Sequence, residues 1–148
     1  MWRLLILLTL LTLTYKPALG REIIISPETS TIKITTQAGV AIDTQSNLTT
    51  DQLNHTQFKY DYKSIHFGRT DDTVWLKLNI KNKLKNPSLI IYINNPTLDK
   101  VSLFQQFQGQ WVETELGDLQ EFHQRIINLP SFAIPVSIKP NNSEILYL

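Results

Sequence analysis

Arg125, His123, Trp111 and Trp75 are the residues of this chain whose types and neighbours suit them to hold a ligand. Arg125 stands between Phe122 and the apolar pair Ile126-Ile127, which partly buries its stem. A guanidinium so placed offers a planar fork of donors that matches a carboxylate or phosphate. It reads either as an anion-recognising group in a pocket or as an internal clamp on Asp99, Asp118 or loop carbonyls. His123 shares the same irregular stretch, where binding groups are usually displayed. Trp111 opens a strand just after Gln108-Gly109 and supplies an aromatic wall. Trp75 alternates with Val74, Leu76 and Leu78, so it shares a strand face with Lys77 and Asn79. An indole among polar groups on an open sheet face recognises flat ligands by stacking and directional hydrogen bonds. The alternative is that another segment, such as Ile32 to Ile42, covers that face and buries the ring.

Other chemistry is poorly provided for. The chain has no Cys, which removes thiolate nucleophiles, disulfides and sulfur-ligated metal sites. The three histidines, His55, His66 and His123, stand at no metal-ligand spacing. No Gly-x-Ser-x-Gly and no phosphate-cradling glycine loop is present. Asp71-Asp72 reads as a solvated turn, with a calcium role as the lesser alternative. The expectation is a binding module with no cofactor and no metal, and not an enzyme; a hydrolase is the weakest of the readings.

The elements that must position these residues are strands. Residues 1 to 20 are set apart first: Arg3, an apolar run from Leu4 to Thr14, and small residues at Ala18 and Gly20 form the pattern of a secretory signal peptide. That run is about eleven residues, short of the roughly 20 that span a bilayer; an uncleaved anchor is the alternative reading. Without Arg3 and Lys16, 12 Lys+Arg stand against 13 Asp+Glu. Such a balance argues against a nucleic-acid partner held by bulk charge. Export without cysteine fits a bacterial periplasm.

Beyond Ile32 the apolar period is two. Val74 to Ile80 and Phe132 to Ile138 alternate as half-buried strands do, and Pro135 marks an edge or a bulge. Leu89 to Ile93 is apolar on both faces, as a central strand would be. Val101 to Phe104 and Trp111 to Leu116 form a hairpin around Gln108-Gly109. Lys139-Pro140-Asn141-Asn142 is a turn before a last strand, Glu144 to Leu148. One helical signal stands out, with Thr49 and Gln52 at capping-box spacing and Leu48 and Leu53 as a hydrophobic staple; it predicts a short helix near Thr50 to Asn54. The pattern reads as an all-β, jelly-roll-type β-sandwich with one short helix.

Several of these residues, in order, resemble the 7TMR-DISM extracellular domain. Phe67-Gly68, Val74-Trp75-Leu76-Lys77 and Asn82 look like its "hydrophobic-Gly … W-L-(R/K) … N" segment. Pro96 to Phe104 is similar to its "P-x-L-D-x-V-x-L-Y" strand, with Phe104 in place of the usual tyrosine. Gly117-Asp118, Phe122, Arg125 and Phe132-Ala133-Ile134-Pro135 follow its "G-D … F-x-x-R … F-x-(F/I)-P" run. Leu146-Tyr147-Leu148 matches the closing strand, while Ile42-Asp43 and Asn47-Leu48-Thr49 match the opening element.

The resemblance covers Ala41 to Leu148. It implies a jelly roll akin to carbohydrate-binding modules, serving as the periplasmic sensor of a bacterial membrane receptor. It implies a small-molecule or carbohydrate ligand, and a seven-helix membrane domain with a cytoplasmic output as partners in a full-length protein. Residues 21 to 40 then form an N-terminal extension or first strand, and residues 41 to 148 the sensor domain, read as the front piece of a longer protein. The alternative function is a free-standing periplasmic carbohydrate-binding protein.

Overall fold

The computed structural model describes residues 21–29, 31–118, 126, 127 and 129–148. The expected signal peptide, residues 1 to 20, lies outside them, as do His123 and Arg125. Among the described residues strand accounts for 43% and helix for 3%, which makes the fold all-β. The strands are β1 (Glu22–Ile25), β2 (Gly39–Asp43), β3 (Thr73–Asn82), β4 (Ser88–Ile93), β5 (Val101–Phe107), β6 (Gln110–Leu116), β7 (Phe132–Ser137) and β8 (Ser143–Tyr147), with a short helix α1 (Thr50–Leu53) between β2 and β3.

Two sheets form. The larger runs β1-β3-β8-β5-β6, with β2 pairing antiparallel to the first half of β3 and β1 parallel to its second half. The smaller joins β4 to β7 antiparallel. This two-sheet order is compatible with the jelly roll expected from the sequence.

Period two places the core. Leu78 and Ile80 of β3, Val101 and Leu103 of β5, Leu116 of β6 and Leu146 of β8 meet Phe132, Ile134 and Val136 of β7 between the sheets. Burying each of these side chains contributes about 1.5–3 kcal/mol. The odd-numbered residues of β3 turn to the opposite face of the large sheet. There Trp75 and Tyr147 join Ala41 and Leu53 in a second cluster, with Leu48, Phe58, Phe104, Trp111 and Ile145 packed against it. The helix and its flanking loop thus lie against the outer face of the large sheet.

Two local devices hold these layers in place. Asn82, fully buried at the end of β3, donates its amide to the carbonyls of Asn86 (2.9 Å) and Ile138 (2.7 Å) and accepts from the Leu84 N–H (2.8 Å). One side chain so ties the β3–β4 turn to the end of β7. At the other end of β3, the Asp43 carboxylate accepts the N–H groups of Leu48 (2.8 Å) and Gln45 (3.2 Å). That bends the chain back toward α1. The Thr49 N–H donates to Gln52 Oε1 (2.8 Å), as the capping-box spacing predicts.

One strand differs from expectation. Leu89 to Ile93 is not central; among the described residues β4 pairs only with β7. Leu89, Ile91 and Ile93 pack on the core, whereas Ile90 and Tyr92 are 62% and 57% exposed. An unbroken apolar run shows that a strand tolerates cover on both faces. It does not show that a second layer exists to provide it.

Candidate ligand-binding site

A groove of about 490 Å³ opens on the outer face of the large sheet, at the hairpin of β5 and β6. Trp111, Gln106 and Gly109 line it from the hairpin, Ser143, Glu144 and Ile145 from β8, and Asn54 from the end of α1. The hairpin reverses through Gln108 (φ 51°) and Gly109 (φ 80°), both left-handed as a two-residue turn requires. A Cβ at Gly109 would meet nothing within 4 Å, so the mouth is open there. The register sets Gln106 directly opposite Trp111, which puts an amide beside the indole on one face.

Tyr147 forms the backing of this wall. It is fully buried, its ring centre 5.2 Å from that of Trp111 at 49° and 6.0 Å from that of Phe58 at 20°. Its hydroxyl donates to Asn54 Oδ1 at 3.2 Å. Burial, with Tyr60 nearby, pushes the Tyr147 phenol above its ordinary value and keeps it a donor. Beneath the covering loop, burial lowers the pKa of Lys77, whose Nζ lies 5.6 Å from the Phe58 ring centre. A cation over an aromatic face recovers part of what desolvation costs.

The described lining contains no Lys, Arg or His. Its one carboxylate, Glu144, accepts Gln105 Nε2 at 2.9 Å, and the same nitrogen donates to the Ser137 carbonyl at 2.7 Å. Ser143 Oγ donates to Glu22 Oε1 at 2.8 Å. What remains facing the groove is an indole with amide groups. That arrangement stacks on a flat apolar ring face and exchanges hydrogen bonds with hydroxyls. A smaller hollow of about 260 Å³ lies between β2 and residues 56–62, without an indole.

The four residues singled out in the sequence fare differently. Trp111 is half-buried and lines the groove. Trp75 is 8% exposed, its ring centre 5.5 Å from that of Phe104, and its buried Nε1 has no hydrogen-bond partner among the described residues. Its face is therefore covered; Ile42 and its neighbours pair edge-on with β3, and the loop around α1 packs in the same cluster. Arg125 and His123 fall outside the described residues. Asn54, Gln106 and Ser143 were missed. Asn54 carries a signal only as the expected end of the helix, and Gln106 and Ser143 carry none.

The model of one protein family, described as 7TMR-DISM extracellular 2, matches residues 35–148. No curated protein matches the chain, and no solved structure does.

Proposed function

The chain belongs to the 7TMR-DISM extracellular 2 family, and from that premise we propose that it is the periplasmic sensing domain of a bacterial receptor, binding a small molecule or carbohydrate. Membership implies association with a seven-helix membrane domain in full-length receptors. Among the described residues no helix is long and apolar enough to cross a membrane. The role proposed is non-catalytic: ligand binding shifts the receptor between states in proportion to its differential affinity for them. Residues 1 to 20 are proposed to direct export.

The observation that carries the ligand assignment is the groove itself, where the Trp111 indole stands opposite Gln106, with Asn54 in the same lining. Arg125, His123 and Trp75 remain proposed contributors to ligand binding.

The test is a thermal-shift screen of the chain against neutral sugars, carboxylates and nucleotides. A ligand at 100 times its Kd stabilises the native state by about 2.7 kcal/mol. A neutral saccharide should raise the melting temperature of the native chain, and Trp111→Ala, which also lowers the unliganded midpoint by removing a ring packed on Tyr147, should abolish that rise. A shift that survives Trp111→Ala places the ligand elsewhere and overturns the groove assignment.

A further inference from the structure

Among the described residues, every free strand edge but one is guarded. β6, at one end of the large sheet, carries Glu113 and Glu115 on one face. β1 is four residues long. The outer edge of β2 is closed by paired hydrogen bonds between Val40 and Lys59 (2.8 and 2.9 Å). β7 contains Pro135, which has no N–H to offer. Charge, shortness, cover and proline are the devices by which sheet edges avoid unwanted pairing. β4, Ser-Leu-Ile-Ile-Tyr-Ile, has none of them.

The register shows which groups its free edge presents. The Ile138 N–H donates to the Pro87 carbonyl at 2.9 Å, which makes 87 and 138 a hydrogen-bonded pair in the β4–β7 ladder. Hydrogen-bonded pairs recur every second residue in an antiparallel ladder. Leu89, Ile91 and Ile93 therefore bond to β7, while Ile90 and Tyr92 turn their N–H and C=O groups outward. No strand partner stands there among the described residues. Pro135 faces Ile90, so its missing donor falls on the side where no bond to β4 is needed. The side chains of Ile90 and Tyr92 are 62% and 57% exposed beside this edge.

We propose that β4 is a self-association edge, at which two copies of this chain pair antiparallel about a two-fold axis at Ile91. Ile90 of each copy then stands opposite Tyr92 of the other. Both outward backbone pairs are satisfied, and the two small sheets become one four-stranded sheet, β7-β4-β4-β7. A second copy is the fitting occupant because a two-fold contact is self-complementary by construction. The strand also bears no charge with which to repel its own image. Ile opposite Tyr is a favourable cross-strand pair.

Sedimentation velocity over a concentration series tests this. The native chain should show a reversible monomer–dimer equilibrium. I90E and Y92K should each weaken it tenfold or more while keeping the far-ultraviolet spectrum and melting temperature, since both side chains are exposed. The double variant I90E/Y92K sets opposite charges face to face across the axis and should restore the dimer. A chain that stays monomeric at millimolar concentration overturns the proposal, as does a dimer indifferent to both single substitutions. A dimer lost in the single variants but not restored in the double one overturns the stated pairing.

Discussion

The Tyr147 hydroxyl on the last strand donates to Asn54 Oδ1, 3.2 Å away at the end of the helix and 93 positions earlier in the chain. This bond joins the strand that backs the groove to the segment that covers the sheet. It has no counterpart in local sequence spacing.

Removing it tests the join. Tyr147→Phe keeps the ring contacts with Trp111 and Phe58 and deletes only the hydroxyl. Asn54 is exposed and can turn to water, so the expected loss is the net value of one hydrogen bond, about 1 kcal/mol. Urea denaturation should report this with an unchanged slope. An unaltered midpoint would show that the bond contributes nothing to holding α1 on the sheet.

The loop before the helix carries a pH dependence. The Leu48 N–H bonded to Asp43, aided by that of Gln45, holds its carboxyl below the usual carboxylate range, against the opposing effect of burial. A carboxyl whose folded value is depressed contributes stability above its unfolded value, about 3.9. That stability is lost as pH falls through the lower folded value. The melting temperature of the native chain should therefore drop more steeply, as pH falls below about 4, than that of Asp43→Asn, which has no charge to lose. Parallel curves for the two proteins would refute the assignment.

Gly117 permits a close backbone approach. A Cβ there would lie 2.1 Å from the Asp99 carbonyl oxygen and 2.9 Å from its carbon, where the Asp118 N–H also donates to the Leu98 carbonyl (2.9 Å). Gly117→Ala must force these two backbone segments apart, at a cost of about 3 kcal/mol. Gly109→Ala is the control. It meets open space and strains only a left-handed φ of 80°, for about 1–2 kcal/mol. Equal losses in the two variants would mean that the contact at Gly117 relaxes freely.

Much of the fold was legible in the sequence. The alternation through Trp75 to Ile80 gave the face of every side chain on β3, because period two follows from the pleat alone. Thr49 and Gln52 announced α1, since a cap is satisfied by residues three apart. Gln108-Gly109 announced the hairpin because its turn needs positive φ at adjacent positions. Each of these signals is complete within a few residues.

The covering of faces was not legible in the same way. Trp75 reads as a stacking platform or a buried ring with equal chemical sense. The layer containing Leu48, Leu53, Phe58 and Phe104 decides between them, and all four lie 17 to 29 positions from Trp75 in the chain. Leu89 to Ile93 reads as a central strand, yet the small sheet leaves Ile90 and Tyr92 in solvent. Within the groove, Trp111 could be named from its type and position. Asn54, Gln106 and Ser143 could not, because ordinary polar residues become a lining only where distant segments converge.

The sequence by itself therefore determined the β class, the helix and its cap, the tight turn and the exclusion of sulfur chemistry. All of these depend on residue type or on spacing within one element. Only the tertiary structure decided which sheet face is covered, which strand edge stays free and which residues share the groove. Those outcomes depend on pairings such as Asn54 with Tyr147 and Asn82 with Ile138. Their partners are brought together by burial of the whole core and by no interval along the chain.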